Sequence, residues 1–384
     1  MRIHKVALEN WKNFQSADAV LADRVFIVGP NASGKSNFLD AFSFMHDVCR
    51  YTFREAVQRR GGIHQIRCLA ARRDSNIGIG FELDSQDKDR WSYHLAFAGK
   101  KDEPPRVELE IVSRNGRKIL ARPDAQDKKD PIRLEQTALE SNQNNADFRE
   151  LNDFFESLQY RHLIPQLVRD PAAFTSGRLQ GDPYGRDFLN QVETTNHQSK
   201  RSRLKQIEKV LKAAVPQLYD LRVERDKYGI PHLYAKYEHW RPHGATQTEA
   251  QLSDGTLRLF GLLWTFLEAK SIVLLDEPDL SLHTEIVKLL PEMISGLQRS
   301  KKNKGGKQVI ISSHSFDLIN STSIAAEEVL RLEPGKEGTK IIQSSEVPEE
   351  RAAIMAGLTP ADIVLPKTRP FDPGQLDLFH RFAD

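Results

Sequence analysis

One short segment constrains this chain more than any other, because residues 29–36 read GPNASGKS. The segment matches the pattern G-x-x-x-x-G-K-S in full, and its glycines let the backbone curl so that successive N–H groups point at phosphate oxygens. An apolar run over residues 24–28 precedes it, and Phe38, Phe42 and Met45 follow at helical spacing. The sequence therefore predicts a phosphate-binding loop between a strand and a helix.

The residues of this loop are assigned to a nucleotide. Lys35 is expected to reach the β- and γ-phosphates, and the Ser36 hydroxyl is expected to bind Mg²⁺. The start of the following helix adds the positive end of its dipole. The residues expected to contact the nucleotide are Asn31, Ser33, Gly34, Lys35, Ser36 and Asn37.

Two adjacent carboxylates end a second apolar strand, where residues 272–277 read IVLLDE. Asp276 is placed to hold Mg²⁺, and Glu277 is placed to orient and deprotonate an attacking water. The alternative is an ordinary acidic loop after a core strand. The phosphate-binding loop upstream favours the catalytic interpretation.

Two further segments complete the pattern. Residues 252–256 read LSDGT and precede a strongly apolar helical run, so Ser253 is either a simple helix cap or, with Gly255, a ligand for a γ-phosphate held by a facing subunit. His314 follows another apolar strand, where a neutral imidazole could bond a γ-phosphate oxygen or serve a structural role. Its position downstream of the carboxylate pair favours the first role.

The bulk properties exclude several classes of protein. The chain has 384 residues, 39% hydrophobic and 28% charged, as in an ordinary globular protein. Its formal net charge of +2 is too small to give the whole molecule a positive field that would attract nucleic acid. Cys49 and Cys68 lie in no metal-binding spacing and suggest a reducing cytoplasm. Residues 257–267 form the longest apolar run, and they are too few for a membrane span and contain Arg258.

The patterning along the chain predicts an α/β fold interrupted by a helical insertion. Alternating residues predict antiparallel strands near 76–83, 91–98 and 106–112, with a hairpin turn at Asn115 and Gly116 and a charged loop at 124–130. The predicted domains are an N-terminal part of the ATPase lobe, a helical insertion lobe, a C-terminal part of the ATPase lobe and a C-terminal tail, over residues 1–131, 132–220, 221–345 and 346–384.

Taken together and in this order, the segments resemble the ABC-type ATPase heads, most closely the SMC, RecF and OLD branch. In that family the segments correspond to Walker A (29–36), the signature (252–256), Walker B with its glutamate (272–277), the D-loop (279–283) and the switch histidine (His314). The resemblance implies a P-loop ATPase head with mixed parallel and antiparallel sheets. It also implies ATP and Mg²⁺ as cofactors and a homodimer, or a higher even-numbered oligomer, closed around two ATP molecules.

This sequence departs from the family in several respects. Asp254 stands where transporter subunits have a second glycine, which argues against a transporter subunit. The glutamine that senses the γ-phosphate is not fixed by a motif; the candidates are Gln65, Gln159 and Gln166, and Gln166 is preferred. The coiled-coil arm of SMC proteins and the Toprim nuclease of OLD enzymes are both absent, so an effector would be a separate protein.

Basic residues form three clusters that could neutralise the phosphates of DNA. With nearly as many acidic residues in the chain, solvated faces are an equal alternative. The three clusters comprise Arg54, Arg59, Arg60, Arg67, Arg72 and Arg73; then Lys200, Arg201, Arg203, Lys205 and Lys209; then Lys301, Lys302, Lys304 and Lys307.

The resulting functional hypothesis is a cytoplasmic ATPase that couples ATP-driven dimer closure to DNA, to a separate effector protein, or to both. By family resemblance, its role would lie in antiviral defence or in genome maintenance such as DNA repair. The alternative is a regulatory or scaffold ATPase that cages or activates a toxin or nuclease partner with little turnover. No membrane partner is expected.

Overall fold

The computed structural model describes residues 1–71, 76–100, 103–170, 184–238, 245–299 and 307–368. Its strands, numbered along the chain, are β1 (Arg2–Trp11), β2 (Phe14–Val20), β3 (Arg24–Val28), β4 (Ile77–Asp84), β5 (Arg90–Ala98), β6 (Arg106–Arg114), β7 (Arg117–Arg122), β8 (Gln159–Arg161), β9 (Leu218–Arg225), β10 (Pro231–Tyr237), β11 (Ala245–Thr248), β12 (Ile272–Asp276), β13 (Gln308–Ser313), β14 (Val329–Glu333) and β15 (Lys340–Gln343).

Helices lie between these strands. They are α1 (Lys35–Arg50), α2 (Phe53–Gln58), α3 (Ile63–Ile66), α4 (Ala125–Lys129), α5 (Arg149–Glu156), α6 (Pro165–Arg169), α7 (Phe188–Thr194), α8 (His197–Ala214), α9 (Asp254–Glu268), α10 (Thr284–Gln298), α11 (Phe316–Ile319), α12 (Pro348–Met355) and α13 (Pro360–Ile363). No helix in the described ranges has the length and apolar character needed to cross a bilayer.

The chain divides into two compact units. The first comprises Met1–Glu156 together with Ser312–Asp384, and the second comprises Ser157–Ile311. The domain boundaries expected at residues 131, 220 and 345 follow changes in sequence patterning, and they stay a prediction.

An antiparallel sheet dominates the first unit. Its strand order is β2-β1-β4-β5-β6-β7. The strands alternate buried and exposed residues where one face meets the core, and β4 and β5 pair from Ile77 opposite Phe97 to Asp84 opposite Arg90. The antiparallel strands and the hairpin turn expected from the two-residue period are confirmed.

Helix α1 buries the apolar face that its sequence predicts. Phe38, Phe42 and Met45 are at most 1% exposed, and Phe42 packs edge-on against Phe81 of the antiparallel sheet with ring centroids 5.4 Å apart. Beside the loop that precedes α1, the fully buried strand β3 runs parallel to β14, and β14 pairs antiparallel with β15. Parallel and antiparallel pairing therefore meet in this unit.

The second unit carries its own strands and helices. Strand β8 runs parallel to β12, with Gln159 opposite Val273, Tyr160 opposite Leu274 and Arg161 opposite Leu275. A separate antiparallel sheet has the order β11-β10-β9. Helix α9 is buried along most of its length, and the amphipathic helix α8 packs against it.

The expectation of a charged loop at residues 124–130 was wrong, because this segment contains helix α4. Asp124 caps the helix by accepting hydrogen bonds from the backbone N–H groups of Gln126 and Asp127, at 2.7 and 2.8 Å. The Asp127 carboxylate accepts a return bond from the Asp124 N–H. A five-residue helix fixed by its cap shows too little apolar periodicity to be recognised.

Candidate functional site

The phosphate-binding loop of the first unit uses both of its glycines. Gly34 has a left-handed φ of +96°, and a Cβ built on it would lie 2.0 Å from the Asn13 side-chain nitrogen. A Cβ on Gly29 would lie 2.9 Å from the carbonyl oxygen of Leu332. Both positions therefore require glycine, one for its conformation and both for space.

Lys35 is the first residue of α1 and is only 7% exposed. Its ammonium group folds back over the loop and donates to the carbonyl oxygens of Gly29 at 2.9 Å and Pro30 at 3.1 Å. The positive charge is thereby held inside the curve of the loop, where an anion would exchange with these carbonyl contacts.

Asn13 braces the outside of the same loop. Its amide donates to the Ser33 carbonyl at 2.9 Å and to the Thr339 hydroxyl at 2.7 Å, and it accepts from the Asn37 amide at 2.8 Å. Thr339 also donates to the Ser33 carbonyl at 2.9 Å. Neither residue was expected to act at the loop. Thr339 lies 306 positions from Ser33 in sequence, so no local pattern points to it.

These features fit a bound polyphosphate. The Ser33 hydroxyl is buried and has no hydrogen-bond partner among the described residues, which leaves an unused donor inside the loop. Asn31 and Ser36 are exposed where α1 begins, and Asn37 is half-buried there. Lys35 supplies the charge, and Ser36 supplies a hydroxyl of the kind that binds Mg²⁺.

His314, the predicted switch histidine, lies directly after strand β13 and is exposed. The next residue, Ser315, donates its N–H to the Ser313 hydroxyl at 2.9 Å and caps helix α11. The backbone on both sides of the imidazole is thereby fixed.

Asp276 of the second unit ends the buried strand β12, as expected. Tyr160 donates its hydroxyl to Asp276 Oδ2 at 3.0 Å, and His162 Nδ1 lies 2.9 Å from the Asp276 carbonyl oxygen. The Tyr160 contact orients the carboxylate in the way that outer-shell groups orient metal ligands, and the His162 contact fixes the Asp276 backbone. Tyr160 and His162 were missed from sequence, because strand β8 has only three residues.

Glu277 adopts a left-handed backbone with φ +48°, which is uncommon for a residue with a side chain. A pocket of about 30 Å³ lies against Asp276, Glu277 and Pro278, and Thr265 and Arg258 of helix α9 also line it. Its volume admits a water molecule.

Arg258 brings positive charge to this pocket. Burial lowers the pKa of its guanidinium, and the carboxylates of Asp254, Asp279 and Glu277 counteract that shift. Its Nε is buried without a hydrogen-bond partner among the described residues. The carboxylates at the end of β12 therefore have a cationic neighbour on helix α9.

The predicted signature segment begins helix α9. Ser253 is its exposed N-cap, whose hydroxyl accepts from the Thr256 N–H at 3.2 Å and lies 2.8 Å from the Thr256 hydroxyl. A Cβ built on Gly255 would lie 2.6 Å from the carbonyl oxygen of Ser281. The segment expected to be the D-loop therefore packs directly on the signature backbone at Gly255.

Two residues of α6, Arg169 and Gln166, contact the start of this helix. Arg169 forms an ion pair with Asp254 at 2.6 Å and donates to the carbonyl oxygens of Leu252 at 2.7 Å and Glu249 at 3.2 Å. Gln166 donates to the other oxygen of Asp254 at 3.2 Å. The preferred candidate for the γ-phosphate-sensing glutamine thus contacts the signature segment of its own chain.

The other candidate glutamines have different surroundings. Gln65 is exposed on helix α3. Gln159 lies in strand β8 beside the strand that ends in Asp276, and its Oε1 is buried without a hydrogen-bond partner in the described part of the chain. The preference for Gln166 as the sensing glutamine stays a prediction.

The basic clusters are partly neutralised by acidic neighbours. Arg60 pairs with Asp40 and Asp47, and Lys200 pairs with Glu193. Arg203 lies near Glu268 and over the ring of Trp264. The residues that fall outside the described ranges are Arg72, Arg73, Lys301, Lys302 and Lys304.

The chain matches the model of a known protein family. A family model described as "AAA domain, putative AbiEii toxin, Type IV TA system" matches residues 24–320, which include the phosphate-binding loop, the signature, the carboxylate pair and His314. No curated protein matches the chain.

Solved structures with similar folds include SMC head domains. An SMC head bound to the C-terminal winged-helix domain of ScpA is 14% identical, has a TM-score of 0.56, and the match covers 89% of this chain and 97% of that one. An SMC head with a coiled coil and joint from Pyrococcus yayanosii is 11% identical, has a TM-score of 0.51, and the match covers 91% and 99%. At these identities the likeness shows the fold alone, and the expected P-loop ATPase fold is confirmed.

Proposed function

The chain belongs to the AAA-domain family whose model it matches, and we propose that it is a Mg²⁺-dependent ATPase that dimerises around two ATP molecules. The observation that carries this proposal is the phosphate-binding loop, in which Gly34 has a left-handed backbone and the buried Lys35 ammonium lies against the carbonyl groups of the loop. The family and the P-loop fold support nucleotide binding.

Each residue then has a defined chemical task. Lys35 leaves the Gly29 and Pro30 carbonyl groups and contacts the β- and γ-phosphates. Ser36 and Asp276 would be the ligands of Mg²⁺, and the ion would supply charge that offsets that of the phosphates. Glu277 orients the attacking water and accepts its proton, while His314 bonds a γ-phosphate oxygen.

Dimerisation would place the exposed Ser253 and the half-buried Gly255 of one copy against the triphosphate of the other. The support is the position of Ser253, which is exposed at the start of helix α9, where the positive end of the helix dipole favours an anion. The Ser281 carbonyl lies so close to Gly255 that a Cβ there would be 2.6 Å from its oxygen, so the D-loop and the signature would move together. ATP would then close two copies and hydrolysis would open them.

The test is the assembly state of the Glu277→Gln variant. Without its catalytic base this variant should bind ATP and accumulate as a dimer, measured by light scattering with Mg²⁺-ATP, and it should be monomeric without nucleotide. A purely monomeric sample at saturating ATP would refute the dimer. Addition of ADP serves as the control for general nucleotide effects.

We propose DNA as a partner of helix α8. Arg201, Lys205 and Lys209 are exposed at four-residue spacing, so they follow one face at intervals of about 6 Å. Such a row can neutralise phosphates without reading sequence. Changing all three residues to Gln should lower the slope of log K against log [salt] by up to about 2.7.

A matched control for this charge removal is available in the first unit. Lys118, Lys128 and Lys129 are exposed and lie away from α8 in sequence. Changing these three to Gln should leave the salt slope nearly unchanged. Equal effects of the two triple variants would remove α8 as the DNA-binding face.

A separate effector protein is the second proposed partner, in defence or genome maintenance. The family description names a toxin system, which favours the alternative of a regulatory ATPase that cages or activates a toxin or nuclease. ATPase rates with and without DNA distinguish the DNA-coupled ATPase from the regulatory ATPase. Stimulation of turnover by DNA supports the DNA-coupled ATPase, and stoichiometric effector binding with negligible turnover supports the regulatory role.

A further inference from the structure

Asp254 places a negative charge at the end of helix α9 where the proposed function requires an anion to bind. It is the first residue of helix α9, directly after Ser253, so its carboxylate stands at the helix start proposed to meet the partner's triphosphate. A negative charge there is favourable for the isolated helix but opposes an approaching anion. This argument rests on the proposed function, in which Ser253 acts on the nucleotide of a second copy.

The chain surrounds this carboxylate with donors. Arg169 contacts Asp254 Oδ1 at 2.6 Å, and Gln166 donates to Oδ2 at 3.2 Å, so both oxygens are engaged. Arg258, one turn along the same helix, also interacts electrostatically with Asp254. The negative charge of Asp254 is therefore neutralised, and its carboxylate is oriented towards helix α6.

Arg169 of helix α6 also contacts the backbone of the signature segment. Besides the carboxylate, its guanidinium holds the carbonyl oxygens of Leu252 and Glu249, which lie just before Ser253. Arg169 thus fixes the backbone of Leu252, directly before Ser253, and neutralises the carboxylate of Asp254, directly after it. The pair is part-exposed, with side-chain exposures of 23% for Arg169 and 38% for Asp254, and such pairs contribute little to folding stability.

We propose that Arg169 is a positioning residue for the trans ATP site, which cancels the charge of Asp254 so that Ser253 can receive the partner's γ-phosphate. Gln166 assists by holding the second carboxylate oxygen. In this role Gln166 acts on the signature of its own chain, and Arg169 makes a signature with an acidic second residue compatible with an anion.

The test measures the ATP-dependent dimer dissociation constant in a Glu277→Gln background by analytical ultracentrifugation. Arg169→Ala should raise this constant at least about tenfold, because the uncovered Asp254 repels the triphosphate. Adding Asp254→Asn to the same chain should restore most of the affinity. If Arg169 matters only for holding the backbone, the double variant will be as weak as Arg169→Ala, and the proposal fails.

A second variant avoids any loss of the backbone contacts. Asp254→Asn alone keeps Arg169 in place and should leave ATP-dependent dimerisation unchanged or tighter; a weaker dimer would overturn the proposal. Arg222→Ala, which removes an exposed arginine paired with Asp220 and Glu224, is the control and should have no effect. If the parent Glu277→Gln variant stays monomeric with ATP, the proposed function itself fails, and this inference fails with it.

Discussion

Tyr160 holds Asp276 from a neighbouring strand, with its hydroxyl 3.0 Å from the Asp276 Oδ2 atom. The two residues lie 116 positions apart in sequence and are brought together because strand β8 pairs in parallel with strand β12. A phenol bonded to a carboxylate fixes the rotamer of that carboxylate, which would orient Asp276 for its proposed role as a Mg²⁺ ligand.

Replacing Tyr160 with Phe should weaken Mg²⁺ binding without loss of the fold. We expect the Mg²⁺ concentration for half-maximal ATPase activity to rise about tenfold, since losing such an outer-shell contact costs 10- to 100-fold in metal affinity or activity. A Mg²⁺ titration at saturating ATP measures it. Tyr228→Phe changes a 75% exposed tyrosine and is the control. Identical Mg²⁺ dependence in both variants would contradict an orienting role.

Replacing Gly255 with Ala should destabilise the protein, although replacing a glycine within a helix by alanine usually stabilises it. Ala normally stabilises a helix by about 0.5–1 kcal/mol relative to Gly. At Gly255 the new Cβ would lie 2.6 Å from the Ser281 carbonyl, so we expect a lower melting temperature and loss of ATP-dependent dimers.

Gly296 provides the matched control for this prediction. It lies within helix α10, and a Cβ there would meet no atom within 4 Å. Gly296→Ala should therefore leave the melting temperature unchanged or raise it, with normal dimerisation. A Gly255→Ala variant that behaves like Gly296→Ala would show that the D-loop does not press on the signature.

The folding stability should depend on the protonation of Glu140. Burial raises the pKa of this carboxyl to about 7, although it accepts hydrogen bonds from the Phe53 N–H and the Thr137 hydroxyl. Because the folded state binds the proton more tightly than the unfolded state, the stabilising contribution is complete below pH of about 4.5 and is lost as the pH rises through about 7.

The measurement is the free energy of unfolding by urea between pH 5 and pH 8. We expect Glu140→Gln to reduce the loss of stability across this range by up to about 3 kcal/mol, because the neutral amide cannot ionise. Glu103→Gln, which changes an exposed glutamate, should keep the wild-type pH dependence. Parallel pH profiles for wild type and Glu140→Gln would show that Glu140 does not titrate in this range.

Local patterns predicted much of the fold. Strict alternation predicted strands β4 to β6, and the spacing of Phe38 and Phe42 predicted the buried face of α1, because both signals arise within one element. Helix α4 was missed because its five residues are fixed by the Asp124 cap rather than by apolar periodicity.

Residues of the candidate site could be predicted only where they lie together in one contiguous sequence motif. The residues from Asn31 to Asn37, the Asp276 and Glu277 pair and the Ser253 cap could be read directly from sequence. Asn13, Thr339, Tyr160 and Arg169 could not, because each acts through a contact with a residue far away in the chain. Such residues carry no local signal.

The central claim is that each ATP site is shared between two copies, and mixing two inactive variants tests it most directly. Lys35→Ala removes the phosphate contact, and Ser253→Arg blocks the signature while leaving nucleotide binding nearly intact. A mixed dimer contains one site with wild-type Lys35 from one copy and wild-type Ser253 from the other. If subunits exchange freely and sites act independently, the equimolar mixture should recover about a quarter of wild-type ATPase activity, while each variant alone stays inactive. A mixture no more active than its separate components, under conditions where subunit exchange is demonstrated, would contradict the shared site.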